Sequence, residues 1–198
     1  MIPASSILKA LLISTALWLS ACSILPKETP QTRYNLPAAT MQPVAAQKNS
    51  TLYVAVPQAN RLVNSNYILV QPDGSEIQSY KGSQWADNAT VLVRDRLMQA
   101  INDANLFKAV SADAAVNTPW ALDGYLSHFE VKYKDAQPIV RVQYEAQLID
   151  RKNSTIVNSK RFAITQPAAG TDITAVVTAF GLANDTLSLK VLEWLAAH

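Results

Sequence analysis

The chain has 198 residues, of which 49% are hydrophobic and 16% are charged. This length and apolar content predict one folded domain with tails and exclude a wholly disordered chain. The net charge is only +2, which does not match the basic surface of a nucleic-acid-binding domain. One cysteine and two histidines exclude an internal disulfide and leave too few ligands for a thiolate-rich metal site or a histidine-based catalytic pair.

The first part of the chain predicts a signal peptide over residues 1–21. Its run Ala10–Leu19 has no charge, is too short for a membrane-spanning helix of ~20 residues, and fits the apolar region of a secretory signal. The next residues, Leu19-Ser20-Ala21-Cys22, resemble the lipobox of bacterial lipoproteins. The alternative is an ordinary signal with an incidental cysteine. Because the only cysteine stands where a lipobox requires it, we predict Cys22 as the lipid attachment residue, with palmitate among its acyl chains.

The lipobox implies that the mature protein is held on a membrane by acyl chains and does not span it, since two or more such chains anchor stably. The residue after the cysteine is Ser23. An aspartate at this position would resemble the inner-membrane retention signal of enteric bacteria. We therefore expect a lipid anchor in the outer membrane of a Gram-negative bacterium, with the protein on the periplasmic face.

A proline-containing tether follows the anchor. Residues 23–50 hold four of the ten prolines and no glycine, which disfavours a helix or a central strand. We therefore interpret residues 22–50 as the lipidated cysteine and a tether, and residues 51–198 as a single domain. Within the tether, Tyr34-Asn35-Leu36-Pro37 is a small apolar island that docks either on the domain or on a partner.

The first half of the domain predicts short strands and one helix. Asp87 is the expected N-cap of that helix, and Trp85, just before it, is expected to have a structural role at the helix entry. The helix buries a stripe at helical spacing, formed by Ala89, Val93, Leu97, Ile101 and Ala104. The predicted strands are Thr51–Val56, Tyr67–Gln71 with its hairpin partner Glu76–Tyr80, and Phe107–Ser111.

The second half predicts three long strands, Tyr125–Tyr133, Ile139–Asp150 and Thr155–Thr165, and a helix over Asp172–Ala197. In the first strand, Tyr125, Phe129, Val131 and Tyr133 share a face. In the second, Arg141, Gln143, Glu145 and Gln147 form a polar face opposite an apolar one. The helix buries Val176, Phe180, Ala183, Leu187, Val191 and Trp194, and Gly181 predicts a close packing contact. The fold class is α+β, with a mostly antiparallel sheet and two helices packed on one face.

The charged residues do not form a catalytic set. There is no glycine-rich phosphate loop and no nucleophile elbow, and we expect His128 to be solvated beside Glu130 and Lys132. Other charged positions are expected on solvated helix faces or at a helix cap: Arg94, Asp95, Arg96, Asp103, Asp172 and Asp185. We therefore predict a protein that is not an enzyme and that uses no metal and no cofactor.

Several segments together resemble one family. They are Tyr34-Asn35-Leu36-Pro37, Val56-Pro57, Tyr67-Ile68-Leu69-Val70, Tyr80 before Trp85-Ala86-Asp87, Leu106-Phe107, Phe129-Glu130 and Tyr144-Glu145-Ala146. In this order they resemble the ABC-type transport auxiliary lipoprotein family, whose members include paraquat-inducible protein C-like outer-membrane lipoproteins. The spacing of Tyr80 and Trp85 is the most specific of these features.

The resemblance implies a docking component of a lipid transport system built from mammalian-cell-entry-domain proteins, with a mammalian-cell-entry-domain protein as its partner and a role in membrane integrity. It leaves open whether the protein forms a homo-oligomer. Two alternatives remain from the residues alone. One is an outer-membrane assembly or envelope-integrity lipoprotein that binds a β-barrel or another envelope protein. The other is a hydrolase that uses a surface carboxylate.

Overall fold

The structure is a computed structural model that describes residues 30–43 and 47–198. These ranges contain eight strands and two helices, and contacts group Gln31–His198 into one unit. In chain order the elements are β1 (Thr32–Tyr34), β2 (Lys48–Val54), β3 (Tyr67–Gln71), β4 (Gln78–Trp85), α1 (Ala89–Asp103), β5 (Phe107–Ser111), β6 (Trp120–Lys134), β7 (Gln137–Asp150), β8 (Thr155–Pro167) and α2 (Ile173–Ala196).

Strand β6 is a central strand of the sheet and pairs with other strands along both of its edges. One edge of β6 pairs antiparallel with β7 from Trp120 to Lys134, and β7 pairs in turn with β8. The other edge is shared by two shorter strands, β2 beside the first half of β6 and β3 beside the second half. Gln58 bridges the gap between them, because its N–H donates to Gly124 O and its carbonyl accepts from Leu126 N–H. The chain from β2 to β3 therefore follows one long, interrupted path along β6.

The α+β class is confirmed. The sheet is mixed, however, so the prediction of a mostly antiparallel sheet is not confirmed. Parallel pairs join β1 to β4, β2 to β5, β2 to β6 and β3 to β6. Antiparallel pairs join β3 to β4, β6 to β7 and β7 to β8. The alternation of polar and apolar residues reports which face of a strand is buried. It carries no information on the direction of the neighbouring strand, which depends on the connections.

The two predicted helical stripes form the core. All five stripe residues of α1 and all six of α2 are buried. Helix α2 packs on β7, β8 and α1, while α1 packs on β5 and β2. By length and mean hydropathy α2 could span a membrane, but most of its apolar window is buried inside the domain. It is therefore a core helix, and its apolar residues cover the sheet.

An aromatic cluster joins the sheet to α2. The ring of Trp85 lies edge-on to Phe129 at 5.8 Å and to Phe180 at 5.1 Å between ring centroids. Trp85 is fully buried, which confirms its structural role at the entry to α1. The N-cap of α1 is Asn88, one residue after the predicted Asp87, whereas Asp172 caps α2 as predicted and accepts from Ala175 N–H at 3.0 Å.

A β-bulge in β6 corrects the predicted face of Tyr125. Pairing with β7 shifts between Leu126 and His128, so Ser127 is an extra residue on β6. Before the bulge Leu126 points into the core, and after it Phe129 and Val131 do. Tyr125 lies before the bulge and is 39% exposed on the opposite side. The prediction that Tyr125 shares the face of Phe129 is therefore wrong, because a bulge reverses the alternation.

Candidate functional site

The predicted lipid attachment residue, Cys22, lies outside the described residues, as does the predicted signal peptide. Cys22 as the lipid carrier stays a prediction. Within residues 30–43 and 47–198, no group of three or more His, Cys, Asp or Glu side chains is placed to hold a metal ion. The remaining candidate sites are two surfaces of the domain, one on the helix side and one on the sheet side.

On the helix side, a segment that we call the strap (residues 31–43) docks on the domain. Its strand β1 pairs parallel with β4, and the Tyr34 carbonyl accepts from Ala86 N–H at 2.8 Å. The side chains of Tyr34, Leu36 and Met41 pack against the core. Of the two alternatives for the apolar island, the structure therefore shows docking on the domain.

A buried ion pair fixes the middle of the strap. The guanidinium of Arg96 donates to Asp185 Oδ1 from Nε at 3.0 Å and from Nη2 at 2.6 Å. Nη2 also donates to the Ala39 carbonyl at 2.6 Å, and Ala39 N–H donates to Asp185 Oδ1 at 3.2 Å. The Arg96 side chain is only 2% exposed. One arginine thus joins α1, α2 and the strap.

This pair corrects the prediction of solvated charges at Arg96 and Asp185. Arg94 and Asp95 also pair on α1, where the Asp95 side chain is 57% exposed and the Arg94 side chain only 18%. The sequence contained a signal for Arg96, because it stands three residues after Val93 and four before Ala100, on the buried stripe of the helix. Asp185 likewise stands one helical turn after Gly181, where the strap crosses α2.

Gly181 allows the strap to approach α2 closely. A Cβ atom at this position would lie 2.9 Å from Pro37 Cβ and 3.0 Å from Pro37 O. The predicted close contact at Gly181 is therefore confirmed, and its partner is the strap. A glycine inside a helix costs about 1 kcal/mol relative to alanine, so this contact offsets an intrinsic penalty.

On the sheet side, β6, β7 and β8 present the face opposite α2, which we call the polar face. Near one end Glu130, the neighbour of the predicted solvated His128, is buried. Its Oε2 accepts from Phe129 N–H at 2.8 Å, and its Oε1 lies 2.9 Å from His128 Nδ1 and 3.9 Å from the Arg141 guanidinium. His128 is one-third exposed. The cluster is charge-paired and satisfied, which suits a structural role.

The centre of the polar face is more open. Glu145 lies opposite Tyr125 on β6 and Arg161 on β8, and its carboxylate accepts from Arg161 Nε at 3.1 Å. Two depressions of about 240 and 270 Å³ flank this residue, and Glu145 and Gln147 line both. The half-exposed ring of Tyr125 lines one of them. Tyrosine and arginine, both present on this face, are enriched at protein interfaces.

The perturbed tyrosines belong to the packing and not to a reactive site. Burial raises the pKa of Tyr144 far above its usual range, and its hydroxyl donates to the Asp123 carbonyl at 3.0 Å. Burial, together with the adjacent hydroxyl of Tyr133, also raises the pKa of Tyr80. Hydrogen bonds from the backbone and side chain of Asn153 lower the pKa of the exposed Asp150.

Comparisons with solved structures agree on the fold. A protein from Xanthomonas campestris, of the family DUF330, superposes with a TM-score of 0.78 at 27% identity, over 84% of this chain and 95% of that one. An uncharacterized protein superposes at 0.66 with 12% identity, over 84% and 99% of the chains. A hypothetical protein from Chlamydia trachomatis superposes at 0.51 with 8% identity, over 76% and 100%. The last two show the fold alone.

A search of curated proteins finds no match. A family model described as the ABC-type transport auxiliary lipoprotein component matches residues 34–191. This range covers most of the chain, from Tyr34 in the strap to Val191 in the last turns of α2. The chain therefore belongs to the ABC-type transport auxiliary lipoprotein family.

Proposed function

We propose that this protein is an outer-membrane-anchored lipoprotein that docks a mammalian-cell-entry-domain protein of a lipid transport system on the periplasmic side. The observation that carries the proposal is the open polar face of β6, β7 and β8 on a member of this auxiliary family. The protein acts by binding and not by catalysis. Cys22 holds it on the membrane, and the domain presents the polar face to the partner.

The packing of the sheet supports docking over lipid carriage. A carrier needs an apolar cavity large enough for acyl chains, yet α2 packs on the apolar face of β7. The β7 residues on that face, from Val140 to Leu148 at every second position, are all buried. The pocket of about 640 Å³ at the junction of β8 and α2 is lined in part by polar side chains, among them Gln137, Gln166 and Asp172. The partner-facing side carries Arg141, Gln143, Glu145 and Gln147, which favour charge-patterned recognition.

The strap sets how far the domain reaches from the membrane. Because the strap begins at Gln31, nine residue steps separate it from Cys22, which extend to about 32 Å at most. A docking component benefits from such a short linker, since it raises the effective concentration of the domain near the membrane surface.

The test uses the mature lipoprotein in nanodiscs and a purified mammalian-cell-entry-domain protein from the same bacterium. We expect saturable binding, and we expect Tyr125→Ala to weaken it about 30-fold, as for a central aromatic of an interface. The matched control is Leu189→Ala, which truncates an exposed apolar side chain on the α2 side. Native mass spectrometry of the protein released from nanodiscs should show no stoichiometric phospholipid beyond the covalent anchor. A bound phospholipid with no partner binding would contradict the docking role.

A further inference from the structure

We propose that β8 is a pairing edge, to which the partner protein adds an extended segment with an acidic centre. The inference rests on the proposed function and deepens it, because it names the element, the binding mode and the chemistry of the bound segment. It rests on three features of β8, namely its unpaired edge, its charges and its apolar end.

The first feature is the edge itself. Within the described ranges, β8 pairs with β7 on one side and with no strand on the other. From Asn158 to Pro167 this pairing is regular, and the one register shift lies before it, opposite Leu148 and Ile149. The other outer strands are short, with three residues in β1 and five in β5. Because an unpaired strand presents a row of N–H and C=O groups, β8 offers the longest template for an added strand.

The second feature is the charge of this edge. The thirteen residues of β8 contain two cations, Lys160 and Arg161, and no carboxylate. Both side chains are exposed, Arg161 by 67% even though it contacts Glu145. Lys160 lies over the ring of Phe162 at 5.4 Å from the centroid. Because neighbouring residues of a strand point to opposite faces, Arg161 lies on the polar face and Lys160 on the side of Phe162, so an added strand meets one cation on each face. These two cations favour an acidic segment.

The same charges disfavour a second copy of this chain as the occupant. If two β8 strands paired antiparallel about a point between Lys160 and Arg161, Lys160 of each copy would lie opposite Arg161 of the other. Like charges directly opposite each other destabilise a strand pair. Lysine residues on edge strands commonly prevent pairing between copies of the same protein. Lys160 would not prevent pairing with an acidic segment.

The third feature is an apolar end. Ile156 and Val157 are 55% and 48% exposed at the start of β8, where the register shift turns the strand. They provide an apolar contact at one end of the added segment. The segment that fits β8 is therefore extended, acidic in its centre and apolar at one end.

Hydrogen exchange of the mature lipoprotein in nanodiscs, with and without the mammalian-cell-entry-domain partner, tests the proposal. We expect slower exchange of amides in Asn158–Gln166 on binding, with affinity falling as salt rises. Lys160→Glu with Arg161→Glu should weaken binding about tenfold. The matched control reverses the same number of exposed charges on other strands, Lys81→Glu on β4 with Lys108→Glu on β5, and should bind normally.

As a second probe, a labelled ten-residue peptide with Glu residues in its centre and Val residues at one end should bind the wild-type protein more tightly than the same peptide with Lys in place of Glu. Thermal unfolding of each variant separates lost binding from lost folding. Partner binding with unchanged exchange in β8 would overturn this inference and leave the docking role intact. Slow exchange in β8 without partner, with the mass of a dimer, would assign the edge to a second copy and also overturn it. Absence of any partner binding by the wild type would instead overturn the docking role, and this inference with it.

Discussion

Arg96 shows how one buried charge can hold three segments together. Its guanidinium is almost fully enclosed, and Asp185 and the Ala39 carbonyl accept its hydrogen bonds. Taking a charge out of water is expensive, so the arginine depends on its carboxylate partner. The pair contributes to stability only while both partners are present.

We therefore expect Asp185→Asn to lower the free energy of unfolding by about 3 kcal/mol, since it leaves the buried guanidinium uncompensated. Urea denaturation at neutral pH measures the change. The matched control is Asp95→Asn, which removes the exposed carboxylate that pairs with Arg94 and should cost less than about 1 kcal/mol. Equal losses in the two variants would contradict the role assigned to the buried pair.

Tyr144 makes the free energy of unfolding depend on pH in the alkaline range. Burial favours its neutral form and raises its folded-state pKa above the unfolded value of about 10. The resulting stabilisation is present below pH 10 and is lost as the pH rises above it, because the unfolded state then releases the proton more readily. The hydroxyl also donates to the Asp123 carbonyl.

For Tyr144→Phe we expect a loss of about 1 kcal/mol at pH 7, from the hydrogen bond, and a shallower loss of stability between pH 10 and 11. Denaturation at a series of pH values checks both. The control variant is Tyr67→Phe, which removes the hydroxyl of a half-exposed tyrosine. The slope remaining in Tyr144→Phe is assigned to Tyr80, whose pKa is also raised. A wild-type slope in Tyr144→Phe would contradict this role, because it would show that the pKa of Tyr144 does not differ between the folded and unfolded states.

At the scale of elements, the strap docks on the domain through a small set of contacts. It is held by a three-residue strand, by the Arg96–Asp185 pair and by close packing of Pro37 on α2. Such a segment detaches more readily than a core strand, because few of its side chains are buried.

Gly181→Ala is the substitution that tests this docking. The added methyl group gains about 1 kcal/mol of helix propensity but meets Pro37 at less than van der Waals distance, and overpacking costs ~1–3 kcal/mol. We expect a small net loss of stability and faster proteolysis within residues 31–43. Pro37→Gly combined with Gly181→Ala should recover part of the loss. Unchanged proteolysis in Gly181→Ala would mean that the strap shifts to accommodate the methyl group.

For the whole molecule, the membrane anchor is the feature that the domain itself does not supply. Helix α2 packs its apolar residues inside the core, and the exposed apolar residues of the described ranges are spread over several elements. We therefore propose that membrane attachment depends on acyl chains, with Cys22 as their predicted carrier.

We expect Cys22→Ala to abolish palmitate labelling and to leave an unprocessed or soluble periplasmic protein. Membrane fractionation and metabolic labelling check this outcome. The domain of the variant should keep its thermal unfolding transition, since the substitution lies outside Gln31–His198. Labelling that persists in Cys22→Ala would contradict lipid attachment at this residue.

The sequence alone determined the family, the α+β class and the buried stripes of both helices. These features are local, because side-chain periodicity reports the buried face of each element. The close contact at Gly181 was also readable, since a glycine inside an apolar helix needs a compensating reason. The division into signal peptide, tether and domain, and lipid attachment at Cys22, stay predictions from the sequence.

Only the tertiary structure decided the features that join distant residues. The parallel pairs of β2 and β3 with β6 depend on crossovers, which strand alternation does not encode. The bulge at Ser127 moved Tyr125 to the polar face through one extra residue in the pairing. Arg96 and Asp185 are 89 residues apart, so nothing local pairs them. In each case the deciding contact is between segments that are brought together only when the whole core packs.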